Sequence, residues 1–296
     1  MDNSLSDDER AMVARCCVEF GIPLASVGTK LAGGRSGSLV VSVPRGSTSA
    51  VLKVTSTPHL IAGAKKEVRL LAETADQFGD VLPKVITSAE GPGWVAVLLR
   101  MYDQAPPATL LSADEWVLIA AALSSIHRQP AAPVSGLGPR EPLSVGDVDV
   151  AMGHWDEVGA GREARRGAEV LRRCADVALP AMATVLTHGD CHTENIVQDA
   201  SGRYRWIDWQ QARLGDGIDD LVFMWQRAEF AGASPPRRAM LAAYAGARAL
   251  QPSVLKPLCE RAELRLLLHS WGSYLSYGSP EGRDLMRRRL YTLTSR

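Results

Sequence analysis

Three oxygen-bearing side chains, Asp190, Asn195 and Asp208, follow one another at short intervals in the second half of the sequence. Ser201-Gly202 lies between two apolar runs and predicts a turn, so the flanking runs would form a hairpin. Closing that hairpin brings Asn195 and Asp208 side by side, with Asp190 on the loop before them. Amide and carboxylate oxygens suit a hard divalent cation such as Mg²⁺, and the remaining carboxylate can accept a proton from an attacking hydroxyl.

This set of side chains matches the division of labour in kinase-type phosphoryl transfer. In that chemistry one aspartate receives the substrate proton, an asparagine five positions later holds a metal ion, and a later aspartate holds the metal ions at the phosphates. The sequence therefore predicts Asp190 as the catalytic residue and Asn195 and Asp208 as metal ligands. The structural alternative is that Asp and Asn serve the turn alone, since both are common in turns.

The same stretch resembles the aminoglycoside phosphotransferase family, the small-molecule branch of the protein-kinase-like fold. The family pattern His-Gly-Asp-x-His-x-x-Asn matches residues 188–195, Ile-Asp-Trp matches 207–209, and Gly-Asp-x-x-x-Asp-Leu matches 215–221. The resemblance implies that Asp216 braces the catalytic loop and that Asp220 caps or pins a helix. Both are expected to be structural.

A glycine- and serine-rich segment precedes the first predicted strand. Glycines let backbone amides approach a phosphate closely, and serines add hydroxyl donors. The candidates for nucleotide contacts are Gly34, Ser36, Gly37 and Ser38. A plain turn between two strands is the alternative, but a glycine-rich hairpin just before a lysine-bearing strand is where a kinase covers its nucleotide.

Lys53 interrupts an otherwise apolar predicted strand, where an ammonium without a partner is costly. Only six of the 33 basic residues are lysines, so a lysine here indicates a compact charge aimed at nucleotide phosphates. The apolar stripe of the next predicted helix comprises Ile61, Ala64, Val68 and Leu71. Glu67 on that helix is the expected partner of Lys53, and Glu73 is the second choice.

An α+β fold with two lobes is expected. Residues 1–102 are predicted to form a nucleotide-binding N-lobe, a five-strand antiparallel sheet with a helix, and residues 103–296 a mainly helical C-lobe with the catalytic loop. The resemblance implies the bilobal protein-kinase-like fold. It also implies that the proline-rich crossing after Arg100 and Tyr102 frames the base of ATP or GTP.

Composition excludes several classes of protein. The 296 residues include 33 basic and 33 acidic side chains, so the net charge is zero and gives no indication of nucleic-acid binding. No apolar run reaches the roughly 18 residues of a membrane helix, and the acidic N-terminal sequence is unlike a signal peptide. Five cysteines without a Cys-x-x-Cys pair indicate reduced thiols, and Cys191 is interpreted as a packing residue. A cytoplasmic monomer or homodimer is expected.

The resemblance implies a hydroxylated small molecule as phosphoryl acceptor. The first choice is a cationic antibiotic, an aminoglycoside or a tuberactinomycin such as viomycin or capreomycin, with resistance as the consequence. Acidic side chains would attract such a cation, and the candidates are Asp156, Glu157, Glu194 and Asp219. Two aromatic residues, Trp271 and Tyr274, wall the acceptor cleft or belong to the core, and the core is favoured.

Two alternatives stay open at this point. A metabolic kinase for choline, homoserine or a fructosamine would share every catalytic residue. A non-catalytic nucleotide-binding regulator is of a different class, and it is disfavoured because all five kinase positions carry competent residues.

Overall fold

The computed structural model describes residues 5–31, 37–45, 48–128, 136–139, 145–175, 182–275 and 278–295. The chain forms two compact units. The first consists of Met1–Ala105, Ala132–Leu137 and Glu194–Ala212, and the second of Pro106–Ala131, Gly138–Thr193 and Arg213–Arg296. The division into functional lobes after residue 102 stays a prediction.

Helices and short strands alternate along the described chain. The helices are α1 (Asp7–Phe20), α2 (Ile61–Glu73), α3 (Ala75–Phe78), α4 (Ala113–His127), α5 (Val145–Glu157), α6 (Gly161–Ala175), α7 (Ile218–Phe230), α8 (Arg237–Ala247), α9 (Pro252–His269) and α10 (Pro280–Thr294). The strands are β1 (Leu39–Arg45), β2 (Thr48–Thr55), β3 (Val85–Gly91), β4 (Trp94–Arg100), β5 (Asp103–Gln104), β6 (Val185–Thr187), β7 (Ile196–Gln198), β8 (Tyr204–Trp206) and β9 (Arg213–Gly215).

The main sheet of the first unit is antiparallel, with the order β1-β2-β4-β3. It has four strands in the described part of the chain, against the five expected, and Lys30 adds a single bridge to Val41 beside β1. Strand β4 is buried from Trp94 to Leu99, as its nearly continuous apolar sequence predicts for a central strand.

Helix α1 supplies one side of the core of the first unit. Its start follows the Ser-x-x-Glu pattern, because Ser6 and Glu9 form a capping box, and Gly21 ends it at φ 62°. Its buried residues Cys16 and Cys17 join a core that is otherwise aliphatic and aromatic, including Val41, Val43, Leu52, Val54, Trp94 and Leu98.

The buried face of helix α2 contains both apolar residues and one charged residue. The residues it buries are Ala64, Glu67, Leu70 and Leu71, whereas Val68 is only half-buried. The face is therefore rotated from the predicted apolar stripe. That rotation carries the carboxylate of Glu67 into the interior.

Strands β7 and β8 form the predicted hairpin, and β5 extends it to a three-stranded sheet. Asp199 organises the turn by accepting hydrogen bonds from the hydroxyl and amide of Ser201 and from the amide of Arg203. These hydrogen bonds, above all the one from the Ser201 hydroxyl, lower the pKa of Asp199, and they outweigh the desolvation that would raise it. Gly202 takes φ 78°, which a side chain would disfavour.

The second unit is mainly helical. Helix α4 starts at a second capping box, formed by Ser112 and Glu115, and buries an apolar face that includes Trp116 and Leu123. A short antiparallel pair joins β6, which precedes the loop at residues 188–195, to β9, which lies beyond the β7–β8 hairpin. In the part of the chain that the structure describes, no helix is both long and apolar enough to cross a membrane.

Replacing Leu52 by Ala should destabilise the first unit strongly. Leu52 is fully buried in central strand β2, so the substitution removes apolar contacts and leaves a cavity. We expect a loss of about 2–5 kcal/mol in the free energy of unfolding, measured by urea denaturation. Leu24→Ala is the matched control, because Leu24 is 46% exposed in the same unit. Equal losses for the two variants would contradict this description of the core.

Candidate active site

Lys53 lies between two carboxylates inside the first unit. Strand β2 places it opposite Val97 of β4, and it is 8% exposed. Its Nζ donates to Glu67 Oε2 at 2.6 Å and to Asp208 Oδ1 at 2.8 Å. The predicted pairing of Lys53 with Glu67 is thus present, and Asp208 completes a triad that draws on a strand, a helix and the segment after the β7–β8 hairpin.

The two carboxylates keep the buried ammonium charged. Burial alone would lower the pKa of Lys53, but the charges and hydrogen bonds of Glu67 and Asp208 outweigh burial and raise it. Two carboxylates against one ammonium leave the triad with one negative charge in excess. Such a site favours an added cation.

Glu67 also holds the segment that carries Asp208. Its Oε1 accepts a hydrogen bond from the backbone amide of Trp209 at 3.0 Å, while Oε2 receives Lys53. Asp208 itself has φ 65° and ψ 59°, the left-handed region, which Asp and Asn tolerate better than other side chains. The backbone at the predicted metal ligand is therefore fixed from two directions.

Asn195 is set next to this segment by the hairpin. Ile207 N donates to Asn195 O at 2.9 Å, one position beyond the Ile196–Trp206 pair of the β7–β8 ladder. Asn195 is 6% exposed. Asn195 and Asp208 thus belong to adjoining backbone positions of one unit, as the predicted hairpin requires.

The chemistry of these donors fits a hard cation. Asn195 can offer its amide oxygen and Asp208 its carboxylate oxygens, of which Lys53 uses one. Across the described residues, no group of three or more His, Cys, Asp or Glu side chains is placed to hold a metal ion. A Mg²⁺ ion at Asn195 and Asp208 would take further oxygens from water and phosphate.

The glycine-rich segment is described only in part, because Gly34 and Ser36 lie outside the described residues. Gly37 is exposed at φ 67°, and a side chain there would collide with Leu60. The hydroxyl of Ser38 lies 2.7 Å from that of Thr55 and accepts from Gln210 Nε2 at 3.1 Å. Ser38 is thereby connected to the segment that carries Asp208.

Arg100 ends strand β4, and Tyr102 follows it closely. The Arg100 guanidinium is 5.9 Å from the centre of the Tyr102 ring, and that of Arg205 is 5.2 Å from it. The Tyr102 hydroxyl accepts from the amide of Lys84 at 3.1 Å. Their contacts with a nucleotide base stay a prediction.

Asp190 lies in the second unit, on a loop that is ordered by its own side chains. The amide of Asp190 donates to His188 Nδ1 at 3.3 Å, and His192 Nε2 lies 3.5 Å from Asp190 Oδ2. Asp190 is half-buried, whereas Cys191 is fully buried and serves packing. His188 thus orders the loop through its contact with the amide of Asp190.

The expectation that Asp216 braces the catalytic loop is wrong, because Asp220 does so. Its carboxylate accepts from the amides of His188 at 2.5 Å and Gly189 at 2.9 Å. Asp216 instead accepts from the amide of Ile218, a local contact at the start of α7. Burial would raise the pKa of Asp220, but the hydrogen bond to His127 and the positive charge of Arg213 lower it to about 2. The brace stays ionised at neutral pH.

The four acidic residues expected to bind the acceptor differ in their exposure to solvent. Asp156 and Glu157 are exposed at the end of α5, with Asp156 bonded twice to Arg165. Glu194 is exposed, whereas Asp219 is buried and paired with Arg213 and Arg265.

The two aromatic candidates differ in exposure. Trp271 is 1% exposed and stacks on Phe223, and Tyr274 is half-buried against Trp271. These contacts favour the core for Trp271. The role of both side chains, and of the four acidic residues, in binding an acceptor stays a prediction.

Two residues of these networks carry no signal in the sequence. Gln210 follows the Ile-Asp-Trp match directly, and its link to Ser38 depends on the fold. Arg205 donates to the carbonyls of Gly79 and Leu82 and bonds Asp199, yet its position in a short strand gives no hint of those partners.

Three solved structures with a similar fold are a phosphotransferase and two kinases. A thermostable mutant of the aminoglycoside phosphotransferase APH(4)-Ia, in ternary complex with ADP and hygromycin B, matches at 18% identity and a TM-score of 0.62, covering 95% of this chain and 97% of that one. A microcompartment-associated aminopropanol kinase matches at 16% and 0.67, covering 96% and 95%. An amicoumacin kinase in complex with AMP-PNP, Ca²⁺ and its substrate matches at 14% and 0.66, covering 97% and 93%.

These likenesses confirm the predicted α+β protein-kinase-like fold, with an antiparallel sheet in the first unit and mainly helices in the second. No curated protein sequence matches the chain significantly. The profile of the phosphotransferase enzyme family matches residues 27–255, which is most of the chain. The chain therefore belongs to the phosphotransferase enzyme family, and it is an enzyme that transfers a phosphoryl group to a hydroxyl.

Proposed function

We propose that this enzyme uses ATP to phosphorylate a hydroxyl of a small cationic antibiotic, an aminoglycoside or a tuberactinomycin such as viomycin or capreomycin. The observation that carries the kinase chemistry is the buried triad of Lys53, Glu67 and Asp208. An ammonium kept charged inside a unit that also holds Asn195 and Asp208 is suited to nucleotide phosphates and a divalent cation.

Each predicted residue has a distinct part in the proposed reaction. An ammonium has three donors, so Lys53 can keep both carboxylates and give the third hydrogen to a phosphate oxygen of ATP. Asn195 and Asp208 would hold Mg²⁺, which supplies positive charge at the phosphates. Asp190 accepts the proton of the acceptor hydroxyl. At the same time the hydroxyl oxygen bonds the terminal phosphorus of ATP, and ADP leaves. Positioning and charge neutralisation do most of the work.

The antibiotic acceptor is supported by the known complexes of similar structures. One contains hygromycin B beside ADP, and another contains amicoumacin beside AMP-PNP. A cationic acceptor needs anionic groups in its site, and exposed carboxylates at Asp156, Glu157 and Glu194 are available for that purpose.

A metabolic kinase is the second candidate, and a specific likeness favours it. The microcompartment-associated aminopropanol kinase has a TM-score of 0.67 with this chain, as high as the antibiotic kinases. Its named substrate is a small amino alcohol, so a related acceptor such as choline or homoserine would need no change at Lys53, Asp190, Asn195 or Asp208. A non-catalytic regulator has no need of the charged triad.

A panel of acceptors with labelled ATP separates the two candidates. The panel holds aminoglycosides including hygromycin B, viomycin, capreomycin, and the amines choline, homoserine and aminopropanol. Growth of a sensitive host that expresses the chain, on plates with the same antibiotics, is the matching cellular measurement. Phosphorylation of an antibiotic together with growth supports the proposal. Labelling of an amino alcohol alone would instead support the metabolic kinase and overturn the proposal.

Asp190→Ala should lower turnover at least about a hundredfold, because the acceptor hydroxyl loses the group that takes its proton. Affinity for the nucleotide, measured by calorimetric titration with ADP and Mg²⁺, should stay unchanged. Asp114→Ala is the control, since Asp114 is an exposed residue on α4 of the same unit. Turnover close to normal in Asp190→Ala would refute the assignment of Asp190.

Glu67→Gln should lower turnover and shift its pH dependence. The glutamine oxygen can still accept from Trp209, but Lys53 loses one of the charges that raise its pKa. The pKa of Lys53 then falls, so the alkaline decline of activity begins at lower pH, with a loss of about tenfold or more at its normal optimum. The profile of turnover against pH from 6 to about 10 measures both effects.

Glu73→Gln is the control for that substitution, because Glu73 is an exposed residue on the same helix and was the second choice as a partner. It should leave the pH profile unchanged. An equal shift in both variants would mean that the field of the whole helix, rather than contact with Lys53, sets the profile.

A further inference from the structure

A buried chain of hydrogen bonds in the second unit runs from the end of α8 to the catalytic loop. Arg248 Nη1 donates to the Tyr244 hydroxyl at 2.8 Å, and that hydroxyl lies 2.7 Å from His127 Nδ1. His127 Nε2 lies 3.2 Å from Asp220 Oδ2. Asp220 then holds the amides of His188 and Gly189, the two residues before Asp190.

The direction of these bonds follows from the number of hydrogens on each group. Burial raises the pKa of Tyr244, so its hydroxyl is protonated and has one hydrogen to give. Arg248 can only donate, which makes the hydroxyl oxygen an acceptor on that side. Among the described residues the one acceptor for the Tyr244 hydrogen is His127 Nδ1.

The acceptor role of Nδ1 decides where the imidazole proton lies. A neutral histidine that accepts at Nδ1 carries its hydrogen on Nε2, the atom that faces Asp220. In the opposite tautomer, Nε2 would present a lone pair to a buried carboxylate, and the Tyr244 hydroxyl would lose its acceptor. Unpaired buried polar groups of this kind are costly.

Gly217 gives independent evidence that the Tyr244–His127 contact is closely enclosed. It has φ 82°, and a Cβ atom there would lie 2.5 Å from His127 Nδ1 and 2.8 Å from the Tyr244 hydroxyl. Position 217 therefore requires glycine for two reasons: its backbone has a positive φ, and a Cβ atom would collide with the hydrogen-bonded pair. His127 and Tyr244 are 1% and 0% exposed.

We propose that Tyr244, held by Arg248, is a positioning residue that fixes His127 in the tautomer that donates to Asp220 and so sets the position of Asp190. The inference deepens the proposed function, because it rests on Asp190 as the catalytic residue. Tyr244 acts through three intermediates, His127, Asp220 and the loop amides. Its effect is therefore on the placement of the loop rather than on nucleotide binding.

Hydrogen exchange tests the positioning without any acceptor. In Tyr244→Phe the amides of His188 and Gly189 should exchange about tenfold faster, since the hydrogen bond that fixes His127 against Asp220 is lost. The amides of α9, in the same unit, should keep their rates. Unchanged loop amides would overturn the proposal, and so would equal acceleration throughout the unit, because that pattern reports only lower global stability.

A pair of glycine substitutions separates the contact from backbone strain. Gly217→Ala should accelerate exchange of the same loop amides, because the new methyl group displaces His127 or Tyr244. Gly232→Ala is the matched control at the other end of α7, since Gly232 has φ 89° with no atom within 4 Å of a Cβ. Equal exchange at the loop in the two variants would count against the proposal.

Kinetics provide the second arm, with magnesium-ATP and water as the acceptor. Tyr244→Phe should lower kcat for ATP hydrolysis about tenfold with KM for ATP nearly unchanged, and it should add no loss in an Asp190→Ala background. Equal losses in both backgrounds, or no loss in either, would overturn the proposal. Full hydrolysis by Asp190→Ala alone would instead refute the proposed function, and hydrogen exchange would then decide the role of Tyr244.

Discussion

An ammonium group buried between two carboxylates is the interaction on which the first unit's site depends. Lys53, Glu67 and Asp208 come from a sheet, a helix and the segment after a hairpin, and each would be costly inside a protein without the others. A buried ion pair contributes little net stability, because desolvation cancels most of its attraction, yet removal of one member leaves an uncompensated charge. The triad therefore holds three segments of the first unit in one geometry around the predicted metal ligand Asp208.

The second unit also contains a buried carboxylate, and its partners include neutral backbone amides. The loop that carries Asp190 presents backbone amides to the interior, and Asp220 satisfies two of them. The carboxylate is ionised because hydrogen bonds and positive charges outweigh its burial. In both units a buried carboxylate holds the backbone near an aspartate that the sequence predicts to be functional, Glu67 beside Asp208 and Asp220 beside Asp190.

The parts of the site that the sequence predicted are those set by short-range geometry. Asn195 and Asp208 belong to one hairpin, whose register depends on a turn at Ser201-Gly202. Lys53 was recognisable because a charge in an apolar strand needs partners, and Glu67 because it lies on the next helix. The fold class followed from the same motifs, since they define a family with one architecture.

The parts that the sequence did not predict depend on contacts between distant segments. Asp216 and Asp220 are four residues apart, and α7 begins at Ile218, so only the direction of that helix decides which carboxylate reaches the loop. The buried face of α2 includes Glu67 rather than Val68 for a similar reason, because tertiary charge pairing outweighs the apolar pattern. Gln210 and Tyr244 have partners more than a hundred residues away, which no local pattern records.

The left-handed backbone of Asp208 has a consequence for how this position can vary. At φ 65° a β-branched or long side chain meets its own carbonyl groups, whereas Asp and Asn accept the conformation at small cost. Lengthening to Glu or truncation to Ala would therefore alter main-chain torsion and ligand chemistry at once. Asparagine keeps the side-chain shape and tolerates the same torsion while it removes the charge, so at this position the charge can change without a change in the local backbone.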